Sequence, residues 1–281
     1  MENNNYTQEA FAETEIKDGD KLRNLVYRKN IERLEPVHHD VGIMFIYQAS
    51  AGILSELEDK TKTRPYLDGY KLDISTIESL YNTYGQSGIG LQFKFVFLTK
   101  QEYIKYTGDN SVLESSDIPN VFLYIVATPL DNIGNPIKEH FVLFNLNYPF
   151  DITKIILNDT DYSNLCPNYL VNSLYHIMSA YSYPKNGSVC LKYTWNNVKE
   201  IMNEQNSDGE KYQQVEFILG EVTRYKILSD FFRRNPDYGL KEAEYKQAYS
   251  EHERQITVVG KYLPEEIDGK EGFFDMGSLY P

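Results

Sequence analysis

Residues 91–98, LQFKFVFL, are the clearest strand in this sequence and set its expected fold. Leu91, Phe93, Phe95 and Phe97 recur at every second position, which places them on one face of an extended chain. The residues between them are mixed, and the last two are apolar as well. The pattern therefore predicts a strand that is at least half buried, around which other strands must pair.

Other segments have the length and composition of strands. The continuous apolar run 41–48, VGIMFIYQ, is expected to be a central strand buried on both faces. Segments 121–128 and 139–146 are joined by Pro129 to Lys138, whose Asp-Asn and Gly-Asn-Pro residues are typical of a turn, and so predict an antiparallel hairpin. The remaining predicted strands are 153–157 and 188–194.

Helices are predicted where apolar residues recur at helical spacing behind a capping residue or a proline. Capping boxes begin two of them, at Ser75 with Glu78 and at Thr99 with Glu102. Proline separates the last two, which predicts a C-terminal helical hairpin. The predicted helices span 21–34, 50–60, 74–85, 99–108, 167–181, 210–234 and 240–254.

These elements predict an α+β fold: a mostly antiparallel sheet of about five strands with covering helices, a C-terminal helical hairpin and extended N- and C-terminal segments. The predicted organisation along the chain is an N-terminal arm and short helix (1–40), an α+β core (41–195), a helical region (196–258) and an extended C-terminal tail (259–281).

Composition argues against several classes of partner. The net charge of -13 and the lack of a Lys/Arg cluster argue against direct binding of nucleic acid. No apolar run approaches the roughly 20 residues of a membrane helix, and the polar start of the chain shows no secretory signal. We therefore expect a location in the cytoplasm or in a virion. The 24 tyrosines suit half-buried surfaces and protein interfaces, although an AT-rich genome also favours tyrosine.

The five histidines do not form a recognised set of ligands. His38 and His39 are adjacent, so on an extended chain their side chains point to opposite faces and do not bind one metal ion together. His140, His176 and His252 are isolated, without an i, i+4 partner. The sequence favours solvated or structural histidines.

The two cysteines are expected to be reduced, buried thiols rather than a disulfide or a nucleophile. Cys166 precedes the helix predicted from Pro167, where the helix dipole favours a thiolate. His176 lies about 15 Å further along that helix, too far to act as the base for Cys166. Nothing in the sequence indicates whether Cys166 and Cys190 lie close together.

The segment 159–170 places oxygen-bearing side chains at alternate positions, as calcium loops do. It has Asn164 where such a loop needs glycine and Leu170 where it needs glutamate. The glycines of 85–90 lead into a strand, whereas phosphate-binding loops follow a strand and begin a helix. We therefore predict no catalytic, cofactor-binding or metal-binding residue and no cofactor.

Three functions are consistent with these observations. The first is a non-enzymatic structural subunit of a larger assembly, such as a ring, adaptor or connector protein of a virus or phage particle, forming homo- or hetero-oligomers through its chain ends. The second is a hydrolase-like enzyme with dispersed catalytic residues, using His38, His39 or His140 with acidic neighbours. The third is an acidic accessory or immunity-type protein that binds a basic partner.

Overall fold

The computed structural model describes residues 39–137, 140–142, 156–157, 172–182, 190–235, 252–263, 273–274 and 278–280. Its helices are α1 (His39–Ala51), α2 (Ile53–Thr61), α3 (Ile74–Tyr84), α4 (Lys100–Thr107), α5 (Ser111–Glu114), α6 (Ser173–Tyr181), α7 (Trp195–Asn203) and α8 (Tyr225–Arg234). Its strands are β1 (Tyr70–Asp73), β2 (Gly88–Thr99), β3 (Val121–Asp131), β4 (His140–Val142), β5 (Ile156–Leu157), β6 (Cys190–Thr194), β7 (Gln214–Glu221), β8 (Ile256–Leu263), β9 (Phe273–Phe274) and β10 (Ser278–Tyr280). The fold is α+β, as the sequence predicts.

The long antiparallel pair β2 and β3 forms the centre of the large sheet, whose strand order is β10-β6-β2-β3-β4-β5. From Gly90 to Leu98 every residue of β2 is buried, because both faces of the strand are covered. The predicted strands around 91–98, 121–128 and 188–194 are confirmed, and β4 pairs antiparallel with β3 where the hairpin was expected.

A second antiparallel sheet, the small sheet, has the strand order β1-β7-β8-β9. The two sheets share a core: the rings of Phe93 on β2 and Phe217 on β7 lie with their centroids 5.0 Å apart. The prediction of one sheet confined to 41–195 is therefore wrong. The strands of the described residues divide between two sheets, and β7 and β8 reach beyond residue 195.

The predicted central strand 41–48 is wrong, because these residues lie within α1. Val41, Phe45 and Ala49 are spaced one helical turn apart and are almost fully buried, where α1 packs on β7. Phe45 lies over Gly220 of β7, where a Cβ would be in van der Waals contact with the Cβ of Phe45 at 3.5 Å. A continuous apolar run fits a buried helix as well as a buried strand, so periodicity alone does not separate them.

The helix predicted over 210–234 is wrong in its first half, which forms β7; its second half is α8. Val215, Phe217 and Leu219 alternate with partly exposed neighbours, which is the two-residue period of a strand. The prediction took Val215, Ile218 and Val222 as a helical stripe. The region 196–258, predicted to be helical, thus supplies strands to the small sheet, and 259–263 belong to β8 rather than to a tail.

Several predicted helices are confirmed, including α3 and α4. The capping box at Thr99 and Glu102 is present, and Gly108, with a φ of 73°, caps the C-terminal end of α4. The capping box predicted at Ser75 and Glu78 is wrong, because α3 begins one residue earlier, after Asp73, with no side-chain cap. The sequence analysis missed β1 and α7. Of the arm and short helix predicted for 1–40, only His39 and Asp40 are described, and they begin α1. The start of the helix at Pro167 and most of the helix at 240–254 also lie outside the described residues.

The glycines at the start of β2 have a structural explanation. A Cβ at Gly88 would clash with the carbonyl oxygen of Leu130, and one at Gly90 would clash with the carbonyl oxygen of Tyr193. These two positions need glycine because neighbouring backbone lies against them. The prediction that residues 85–90 lead into a strand is confirmed, because this strand is β2.

Candidate functional site

The outer face of α1 is apolar and exposed. Ile43 and Tyr47 lie one helical turn apart on the side that faces away from the small sheet, with 45% and 65% of their surface exposed. No charged residue occurs between Asp40 and Glu56. A helix on a protein surface usually has charged or polar residues on its outer side, whereas a helix that is apolar all round is usually covered. We define Ile43 and Tyr47 as the outer face of α1.

The C-terminal end of α1 meets α2 at Gly52. The N–H of Ile53, the first residue of α2, donates to Oε2 of Glu221 at 2.8 Å. Glu221 is the last residue of β7, so a strand end supplies the capping oxygen that the start of α2 lacks. The carboxylate thereby joins the α1–α2 corner to the small sheet.

Gly52 has no room for a side chain. A Cβ there would clash with Oε2 of Glu221 and would lie 2.6 Å from the phenol oxygen of Tyr181 and 2.7 Å from the carbonyl oxygen of Gln48. Glycine is needed here because three neighbouring groups approach the backbone.

Arg254 completes this cluster from the turn before β8. Its Nε lies 4.0 Å from Oε1 of Glu221, and its guanidinium carbon lies 3.5 Å from the ring centre of Tyr181 on α6. The backbone of Arg254 has a φ of 62°, a left-handed conformation that costs a non-glycine residue about 1 kcal/mol or more. Its N–H donates to the carbonyl oxygen of Val222 at 2.8 Å, which holds the turn against the end of β7.

We call Gly52, Ile53, Tyr181, Glu221 and Arg254 the Glu221 junction. Burial of the Glu221 side chain raises the pKa of its carboxyl from 4.5 to about 7. The Ile53 N–H bond and the nearby charges of Arg254 and Arg224 act in the opposite direction, but more weakly. The junction therefore contains a carboxyl group that exchanges its proton near neutral pH.

A separate polar cluster lies on the large sheet. Gln92, Lys94 and Cys190 are buried there, and the Gln92 amide donates to Sγ of Cys190 at 3.2 Å. Cys190 is a buried free thiol, as predicted. Cys166 lies outside the described residues, so the separation of the two cysteines stays open.

The structure places the histidines on different elements. His39 begins α1 and His140 begins β4, and only their backbone is described. His176 is exposed on α6, whereas Nδ1 of His252 lies 2.9 Å from Oε1 of Gln255 in the turn before β8. His38 lies outside the described residues, as does the calcium-like segment 159–170. The hypothesis of a histidine site therefore stays a prediction.

Sequence reasoning did not find Glu221, because nothing local distinguishes it among the many carboxylates of the chain. Its partner Ile53 is 168 positions away in the sequence. A weak indication is that Glu221 directly follows the apolar strand residues VEFILG. A carboxylate at the end of a buried strand is itself easily buried, and burial penalises its charged form.

Within the parts of the chain that the structure describes, no group of three His, Cys, Asp or Glu side chains could hold a metal ion. No helix there has the length and apolar character needed to cross a bilayer. Comparisons with protein-family models, curated proteins and solved structures found no match.

Proposed function

We propose that this chain is a non-enzymatic interaction subunit of a larger protein assembly, and that it binds its partner through the outer face of α1. The observation that supports the proposal most is the exposure of Ile43 and Tyr47 on a helix that has no charged residue after Asp40. Interface cores are depleted in charged residues and enriched in tyrosine and other aromatics.

Burial of these two side chains would contribute usefully to binding. Covering the exposed part of Ile43 is worth about 1 kcal/mol, on the scale at which full burial of such a side chain is worth about 1.5–3 kcal/mol. Tyr47 is more exposed, and tyrosine is among the residues that most often dominate binding energy at interfaces. A partner with an apolar groove for one helix therefore gains affinity from two adjacent turns of α1.

The charge of the chain indicates what kind of partner this is. With a net charge of -13, two copies of this chain repel each other, whereas a basic protein is attracted and steered towards it. We therefore propose a hetero-assembly with a basic protein whose docking surface is apolar at its centre. A ring, adaptor or connector of a virus or phage particle remains the class of assembly that we favour.

The test uses the chain expressed in its native cells and the mass of the complexes that contain it. We expect the wild-type chain in a complex heavier than 32.7 kDa. Ile43→Glu and Tyr47→Glu should release it as a monomer, because each places a charge in the proposed interface.

Ile133→Glu is the matched control. Ile133 is 76% exposed, in the turn after β3, and should leave the complex intact. A wild-type chain that is monomeric in its native cells, or a loss of the complex that is equal for all three variants, would contradict the proposal.

An enzymatic alternative rests on a different observation. The carboxyl of Glu221, whose pKa burial raises to about 7, has the property of a general acid or base. The side chain is only 4% exposed, so a substrate would have to displace Tyr181 or Arg254 to reach it. Hydrolysis of ester or phosphoester substrates by the purified chain, abolished in Glu221→Gln and retained in Glu216→Gln, would support this alternative over an interaction subunit.

A further inference from the structure

We propose that the Glu221 junction is a proton-controlled hinge between α1 and α2. With the Glu221 carboxyl protonated, both helices stay attached to the end of β7. Loss of that proton favours a state in which the Ile53 N–H leaves the carboxyl and the junction opens. The inference concerns a property of the fold itself and does not depend on whether the outer face of α1 binds a partner.

The geometry supports a hinge at this position. The helical path breaks at Gly52, whose ψ of -105° separates α1 from α2. The side-chain bond that holds the start of α2 to the small sheet is the one from Ile53 N to Glu221 Oε2, at 2.8 Å. A Cβ at Gly52 would clash with Glu221 Oε2, so in the closed junction the backbone of the α1–α2 corner lies directly against the carboxyl.

The groups around the carboxyl determine which protonation state each arrangement prefers. In the described residues the carboxyl is faced by the Ile53 N–H from α2, the phenol of Tyr181 from α6, and the guanidinium of Arg254 from the turn before β8. Arg224, directly before α8, contributes a more distant positive charge. The largest influence is the removal of water from the carboxyl, which penalises its charged form.

The sign of the pH dependence follows from linkage. In the closed junction burial holds the pKa of Glu221 near 7, whereas an open, hydrated carboxyl has its ordinary value of 4.5. The closed state therefore binds the proton more tightly, and opening releases it. Closure is strongest below the ordinary value and weakens as the pH rises through about 7.

The left-handed backbone of Arg254 fits the same interpretation. Its φ of 62° is unfavourable for arginine, yet this conformation brings the guanidinium both over Tyr181 and towards Glu221. Backbone strain of this kind persists where the surrounding contacts compensate for it. Opening of the junction removes one of those contacts, so the turn before β8 gains freedom at the same time.

The test is amide hydrogen exchange of the full chain by NMR, between pH 5 and pH 8. The measured quantity is the protection factor of the Ile53 N–H, corrected for the intrinsic exchange rate, and it falls as the junction opens more often. The Asn197 N–H is the internal control, because it caps α7 by donating to Thr194 Oγ1 at 3.2 Å without a titratable group. We expect the protection of Ile53 relative to Asn197 to be about 10- to 70-fold greater at pH 5 than at pH 8.

The variant Glu221→Gln keeps an acceptor for Ile53 but has no proton to lose, so its relative protection should not change with pH. A wild-type ratio that is constant from pH 5 to pH 8 overturns the proposal, whether or not the variant folds. An unchanged pH dependence in a folded Glu221→Gln variant also overturns it, because another group would then control the opening.

Discussion

Changing Glu221 to glutamine keeps an oxygen that accepts the Ile53 N–H and removes the carboxyl that exchanges a proton near neutral pH. The folded chain binds that proton more tightly than the unfolded chain, because burial raises the pKa of Glu221 from 4.5 to about 7. The carboxyl therefore contributes stability that is fully present below pH 4.5 and is lost as the pH rises through 7. Glutamine resembles the protonated side chain at every pH.

The magnitude follows from the pKa difference. At about 1.4 kcal/mol per pKa unit, a change from 4.5 to about 7 corresponds to roughly 3 kcal/mol. We reduce this to about 2 kcal/mol, because the glutamine amide does not reproduce every contact of the protonated carboxyl. We therefore expect Glu221→Gln to be about 1–2 kcal/mol more stable than wild type at pH 8 and to match it at pH 5.

The assay is urea unfolding at several pH values, followed by the fluorescence of the single tryptophan, Trp195, which is buried. The quantity to compare is the variant's free energy of unfolding minus that of wild type. The contribution of the histidines to the pH dependence is the same in both proteins and cancels in this difference. Glu216→Gln, on the same strand and 3.8 Å from Lys71, is the control and should show no such trend. A difference that stays constant from pH 5 to pH 8, or a Glu221→Gln variant clearly less stable than wild type at pH 8, would refute the reasoning.

Two further pairs of substitutions test the packing. Gly52→Ala should destabilise the fold by about 1–3 kcal/mol in thermal unfolding, because the added Cβ meets three neighbouring groups. Ser50→Ala, on the exposed side of α1, is the control and should change the stability little. Equal effects of the two substitutions would contradict the close approach at Gly52. Tyr124→Phe should be neutral or stabilising, because the buried Tyr124 hydroxyl has no hydrogen-bond partner in the described part of the chain. Tyr103→Phe should lose about 1 kcal/mol of stability with its 2.8 Å bond to Asp109, and the reverse order of the two effects would contradict these hydrogen-bond assignments.

The parts of the fold that follow from local patterns were predictable from the sequence. The alternation in β2, the capping box of α4 and the apolar stripe of α3 each depend on residues within one or two turns of one another. Local pattern also misled, since VGIMFIYQ fits a buried strand as well as α1. The burial of Val41, Phe45 and Ala49 on one helical face against β7 separates the two alternatives.

The candidate site could not be predicted for a related reason. Glu221 gains its character from Ile53, Tyr181 and Arg254, which come from three other parts of the chain. Burial, rather than residue type, raises its pKa, and burial becomes visible only once the helices are placed on the small sheet. The exposure of Ile43 and Tyr47 is likewise a property of how α1 lies, since in a central strand both would be covered.

The most direct test of the proposed docking surface is photo-crosslinking in the native cells. A photoreactive amino acid is placed at position 47 on the outer face of α1 or, as the control, at position 133. The account predicts one discrete crosslinked product at position 47, containing a basic protein, and none at position 133. No product at position 47, or the same products at both positions, would contradict the claim that the outer face of α1 is a docking surface.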